Sequence, residues 1–245
     1  MTALRMNPAR LGLLPTACLC LSVAGCGTGS QPDSKAASPT PAASPGDTVA
    51  YVLTPDPAAD PMRDASGCRL AALAECSHTN QLVYQDDFQA AVARFLGNRR
   101  RAYVDHPDGP DGSQANAPPV SGQMIEVLGG PPEDRQRLGP YLFFSACRGH
   151  SCPEKGFAVL TPAGGIVALG IFHGWNEAEA GNPRTCCGPD PDLTIYHQPT
   201  ADWARIAPAL RSWAEGKAAS LYRFEGEAQP KLRQVELIDV SRADQ

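Results

Sequence analysis

The sequence predicts an α+β fold, an antiparallel β-sheet with a few helices packed on one side. Three observations carry that reading. Apolar runs of strand length cluster over residues 141–172 with a hairpin signal between two of them, further strand candidates follow near 192 and 234, and two segments keep a helical period. Composition agrees: the 245 residues are 42% hydrophobic, with 21 Lys+Arg against 26 Asp+Glu, as in a folded globular chain. That net charge of −5 argues against a nucleic-acid partner and against a polybasic membrane-surface protein. The 24 prolines and 23 glycines mark much of the chain as loop or linker, and no internal repeat shows.

In chain order, Arg5 and Arg10 flank an apolar run (Leu11, Leu13, Leu14, Leu19, Leu21, Val23) that ends in small residues. This is the pattern of an export signal, too short and too interrupted by Pro15 to span a bilayer. The two arginines are its only charges, so a chain without residues 1–25 is more acidic still. The run closes on Val23-Ala24-Gly25-Cys26, which resembles the lipobox of bacterial lipoproteins. The resemblance implies cleavage before Cys26 and lipidation of its thiol, hence a membrane partner reached through a lipid anchor. Gly27 stands where an Asp would favour retention at the inner membrane, so the outer membrane facing the periplasm is the expected location. Residues 27–48 are rich in Pro, Ser, Ala and Thr and have no apolar face to bury, which makes 26–48 a lipidated tether. The remainder, 49–245, is expected to be a single globular domain with a C-terminal extension.

Within that domain, Phe88, Ala91, Val92, Phe95 and Leu96 fall at helical spacing behind Asp86 and Asp87, and Gly97 marks the helix end. Residues 104–122 read as loop and 123–128 as a short strand. Strands follow from Tyr141 to Cys147, Phe157 to Thr161 and Ile166 to Phe172, the last two joined by Pro162-Ala163-Gly164-Gly165. Asp192 to Tyr196 and Gln234 to Val240 complete the strand candidates. Between them Trp203, Ile206, Leu210 and Trp213 keep a helical period, with Pro208 either kinking that helix or opening a second one.

Cysteine usage constrains the domain further. Cys18 and Cys20 leave with the signal and Cys26 carries lipid, which leaves Cys68, Cys76, Cys147, Cys152, Cys186 and Cys187. An even set in an exported chain reads as disulfides. The short spacing of Cys147 and Cys152 marks them as a local bridge. Cys68 and Cys76 then pair with each other or with Cys186 and Cys187. A vicinal bridge is strained, so crossed pairs are the expectation.

The segment Tyr141 to Cys152 carries the most chemistry. A buried strand delivers Arg148, Gly149, His150 and Ser151 into a loop closed at both ends by sulfur, which holds Arg148 and His150 outward at low ordering cost. A cation and an imidazole on a rigid knob suit an acidic cleft. The succession of strand, C-x-x-H-x-C loop and hairpin resembles the Ivy family, the periplasmic inhibitors of vertebrate c-type lysozyme, over about residues 84–175. Family members carry a Cys-Lys-Pro-His-Asp/Asn-Cys loop that enters the lysozyme active-site cleft, where its histidine contacts the catalytic carboxylates. The resemblance therefore implies an Ivy-like fold and c-type lysozyme as the protein partner. Cys147 and Cys152 take the places of the bridging cysteines, Arg148 of the basic residue and His150 of the inserted histidine. Gly149 replaces a proline and loosens the loop, and Ser151 replaces a carboxylate or amide that orients the imidazole.

Other features read more simply. Arg99-Arg100-Arg101 is a solvated cluster, and Trp175, Trp203 and Trp213 are core or interface residues. His78, His106, His173 and His197 share no metal-ligand spacing. With no nucleophile motif, phosphate-binding glycine loop or zinc-protease signature, neither catalysis nor a cofactor or metal is expected. Two other classes stand beside the inhibitor: an envelope interaction lipoprotein that keeps the loop without inhibiting, and a metal-binding protein using Cys147, His150 and Cys152 with Cys186 or Cys187. The oxidising envelope disfavours the second. The sequence leaves both a monomer and a homodimer open.

Overall fold

Seven strands lie side by side in their order along the chain. They are β1 (Leu53–Pro55), β2 (Gln136–Leu138), β3 (Tyr141–Arg148), β4 (Ser151–Leu160), β5 (Ile166–His173), β6 (Asp192–His197) and β7 (Val235–Asp239). The computed structural model describes residues 48–60, 62, 65–104, 117–174, 190–221 and 228–242. Every neighbouring pair from β1 to β6 is antiparallel, whereas β6 and β7 run parallel. A parallel pair needs a crossover, and helix α4 (Trp203–Ala219) supplies it. The class is α+β, an open and mostly antiparallel sheet with a few helices.

The helices cover both faces of the sheet, not one as expected. All eight residues of β5 are buried, which an antiparallel strand shows only when neither face meets water. On one face Leu142, Phe144, Ala158, Leu160, Leu169 and Ile171 pack with α1 (Thr79–Leu82), α2 (Asp86–Leu96) and α3 (Val120–Leu128). On the other, Phe143, Phe157 and Phe172 present ring edges to Trp213 of α4 at centroid distances of 5.9, 5.2 and 6.3 Å. Pro208 lies inside α4, which neither breaks there nor restarts. Its missing N–H gives up one helical hydrogen bond, while Ile206, Leu210 and Trp213 hold the turns on either side against the sheet.

Residues 123–128 form the end of α3, a correction to the strand expected there. Val120, Gln123, Met124, Val127 and Leu128 are buried at helical spacing, and the short window 123–128 hid that period because both neighbours of the Met124-Ile125 pair are polar. Helix α2 matches its expectation from Asp86 to Leu96, with Gly97 at φ 62 behind it. The predicted loop 104–122 gives way to α3 at Val120, and residues 105–116 lie outside the described ones. Sequence periodicity missed β1 and β2, of three residues each, α1, and a 3-10 segment at Leu70–Glu75.

That 3-10 segment corrects the disulfide map. Cys68 bonds to Cys76 across a Cα separation of 4.7 Å, not to Cys186 or Cys187, because the segment turns the chain back on itself within eight residues. Cys186 and Cys187 lie outside the described residues. Arg135, 1% exposed, pins the turn from below. Its Nη1 donates to the carbonyls of Leu73 at 2.7 Å, Ala74 at 3.2 Å and Cys76, and its Nε to Asp56 Oδ2 at 2.8 Å. Arg137 reaches the same Asp56 oxygen at 3.1 Å. Burial alone raises the Asp56 carboxyl, but the Ala58 amide and the two guanidinium groups outweigh it and hold the group below its ordinary value.

Candidate functional site

Strands β3 and β4 meet in a tight hairpin at one end of the sheet. Arg148 pairs with Ser151, leaving Gly149 and His150 as the two-residue turn. The next pair inward is Cys147 with Lys155, so Cys152, Pro153 and Glu154 make a bulge on β4. The bulge accommodates a proline inside a central strand and lets Cys147 bond to Cys152, Cα to Cα 4.7 Å. That bond consumes the two thiolates a metal site on this loop would need. Gly149 and His150 are exposed, and Ser151 is half-buried beside them. His150 has φ 65, the one non-glycine residue among those described with a positive φ. Histidine tolerates this region better than most side chains, yet the conformation still costs about 1–2 kcal/mol relative to a right-handed one.

Arg148 does not project outward with His150, as the sequence had suggested. It is held between two carboxylates, Nε to Glu126 Oε1 at 2.5 Å and Nη1 to Glu154 Oε2 at 2.7 Å, and its side chain is 14% exposed. Alternation along β3 explains this. Leu142 and Phe144 face the α1–α3 layer, so Arg148 points the same way and meets Glu126 on α3. Burial lowers the tendency of the guanidinium to hold its proton, but Glu154 and Glu126 more than offset it, so its pKa is raised. Arg148 is an internal strut of the hairpin.

A second support comes from the chain after α3. Gly130 lies so close to the hairpin that a Cβ there would stand 2.0 Å from the Cys147 carbonyl oxygen and 2.4 Å from the Gly149 nitrogen. Only glycine permits that approach. The following residues run beside β3: Cys147 N–H donates to the Pro131 carbonyl at 3.1 Å and Glu133 N–H to that of Ser145 at 2.9 Å. On the opposite face, Ser145 Oγ donates to Glu133 Oε2 at 2.5 Å, and Lys217 of α4 binds the other oxygen of the same carboxylate. Lys155 Nζ donates to the Cys152 carbonyl at 2.7 Å, and burial together with Lys217 pushes its pKa down.

Of the sequence-predicted loop residues, the structure leaves Gly149 and His150 at the tip and turns Arg148 inward. Cys26 lies outside the described residues. Sequence reasoning missed Glu126, Glu154 and Gly130. The Gly129-Gly130-Pro131-Pro132 run was a legible turn signal, but its contact with a hairpin some twenty residues away was not. No helix among the described residues is long and apolar enough to cross a membrane. No protein-family model matches this chain, and no curated protein or solved structure is significantly similar to it.

Proposed function

We propose that the protein is an envelope lipoprotein that inhibits c-type lysozyme by inserting His150 into the active-site cleft, so protecting peptidoglycan. One observation carries the reading. The only non-glycine residue among those described in the left-handed region is an exposed histidine at the tip of a disulfide-closed hairpin braced from two sides. Strain of this kind persists where the surroundings enforce it, and it favours a side chain held ready for a partner. A lysozyme cleft holds a general-acid glutamate and an ionised aspartate, which can accept both N–H groups of an imidazolium. The acidic chain, net −5, favours encounter with a basic enzyme. Lipidation at Cys26 places this activity at the outer membrane.

Inhibition constants of wild-type protein and His150→Ala against purified c-type lysozyme test the reading. The expected result is inhibition by the wild type and a loss of at least tenfold in the variant. The inward turn of Arg148 favours a second reading, an interaction lipoprotein that keeps the loop without inhibiting, since the cation of the Ivy loop is neutralised here by Glu126 and Glu154. Folded wild-type protein that leaves lysozyme fully active decides for it.

A further inference from the structure

We propose that Tyr84 and the adjoining Pro131-Pro132 shoulder form a second contact arm beside the His150 tip, one that seats on the rim of the cleft His150 enters. The inference rests on the inhibitor reading and extends it from a single loop to a two-part surface.

Tyr84 is 67% exposed, and it is the one aromatic among the exposed large hydrophobic residues described. Its hydroxyl donates to the Gly129 carbonyl at 3.2 Å, so the ring is oriented while its faces stay in water. That carbonyl belongs to the residue before Gly130, the glycine wedged against Cys147 and Gly149. Pro131 and Pro132 follow, both exposed, and both tied to β3 by the Cys147 N–H and by the bridge to Ala146. Tyr84, the diproline and the His150 turn are therefore one continuous edge.

Its composition is that of a binding surface with little to lose on association. Two prolines, a disulfide and an anchored tyrosine have few rotamers left to freeze, and tyrosine is among the residues that dominate binding energy at protein interfaces. Charge names the occupant. Arg148 with Glu126 and Glu154 leaves one net negative charge on the α3 side of the hairpin, while the cation of Lys155, bonded to the Cys152 carbonyl, belongs to the opposite face. Such an edge fits a partner whose cleft is acidic and whose rim is cationic, and it disfavours a second copy of this acidic chain.

The test uses the full-length protein and purified c-type lysozyme, with dissociation constants measured for wild type, Tyr84→Ala, Tyr84→Phe, His150→Ala and Leu237→Ala. Leu237 is exposed on β7 at the far edge of the sheet and serves as the control. Tyr84→Ala should bind about tenfold more weakly, Tyr84→Phe within about threefold of wild type, and Leu237→Ala like wild type. Wild-type affinity in Tyr84→Ala, with His150→Ala weakened, would overturn the second arm and leave the inhibitor reading standing. Absence of lysozyme binding by the wild type overturns both. A change in self-association on Tyr84→Ala, without a change in lysozyme affinity, also overturns the arm and assigns the edge to contacts between copies.

Discussion

The two disulfides described here have the same Cα separation, 4.7 Å, and both close short loops, eight residues apart in one case and five in the other. Their surroundings differ completely. The Cys68–Cys76 loop is anchored inward, although Arg69, Ala71, Ala74 and Glu75 along it are exposed: both cysteines are buried, Leu73 lies in the core, and three of its carbonyls are taken by one buried arginine. The Cys147–Cys152 loop faces outward, with its tip in solvent and its one charged strut folded back against α3. Loop-closure entropy assigns them nearly equal contributions, about 2.5 and about 2 kcal/mol. The cross-link is a common device, and the buried or exposed partner groups decide whether it braces a core or displays a turn to solvent.

The largest effect should fall on the inward loop. Asp56→Ala leaves Arg135 buried without its carboxylate and should destabilise the fold by about 3–5 kcal/mol in urea titration. Replacing both members with apolar residues, Asp56→Leu with Arg135→Met, should recover most of that loss, because the cost lies in the uncompensated charge. A double variant as unstable as the single one would show that the carbonyl contacts of Arg135 matter more than the pair. Acid acts on the same site. The Asp56 carboxyl is held below its unfolded value, so its contribution is complete above about pH 4 and is lost as pH falls further through the folded value.

Removing the cross-links should separate the loops next. Cys68→Ala with Cys76→Ala should cost at least the ~2.5 kcal/mol of loop closure, because the Arg135 contacts loosen with it. Cys147→Ala with Cys152→Ala should cost about 2 kcal/mol or less, yet, on the inhibitor reading, weaken lysozyme inhibition far more than the first pair does. Equal effects of the two pairs on inhibition would break the division of labour.

What the sequence revealed follows the same division. The hairpin strands, α2 and α4 were legible because their apolar residues keep a local period, and the C-x4-C spacing marked the outward loop. The inward loop was not legible. Arg135 and Asp56 are 79 residues apart, and nothing local distinguishes a guanidinium that captures carbonyls in the core from one in solvent. The same applies to Arg148, whose partners Glu126 and Glu154 become neighbours only once α3 and the β4 bulge have formed. The second helical layer was hidden for a related reason: β5 reads as a plain apolar run, a pattern that reports burial without saying what covers each face.

At the tip, His150→Gly should move stability and binding in opposite directions. Relief of the positive φ contributes about 1–2 kcal/mol, and the greater freedom of glycine in the unfolded chain takes back about 0.5–1, so a gain near 0.5–1 kcal/mol is expected in thermal unfolding. On the inhibitor reading, inhibition should fall by about 2 kcal/mol, roughly thirtyfold, with the loss of the inserted side chain. A His150→Gly protein that inhibits like the wild type would separate the strained tip from the site of contact.

The smallest expected effect lies one residue earlier, at Gly149, and it asks whether the outward loop can be stiffened without losing its shape. A Cβ at Gly149 meets nothing within 4 Å, and the backbone there lies outside the left-handed region, so alanine fits without strain. Gly149→Ala should therefore stabilise the fold by about 0.4–1 kcal/mol through the unfolded chain and tighten inhibition by up to a few-fold. Proline, the residue of the Ivy loops that the sequence only resembles, fits less well. The Gly149 nitrogen approaches Gly130 closely, and a proline ring built on that nitrogen would crowd the wedge that braces the hairpin. Gly149→Pro should accordingly gain less than Gly149→Ala in both thermal stability and inhibition, despite restricting the chain more. A proline variant that outperforms alanine would mean the wedge at Gly130 yields readily, and that the outward loop owes its shape to the disulfide and the Arg148 strut alone.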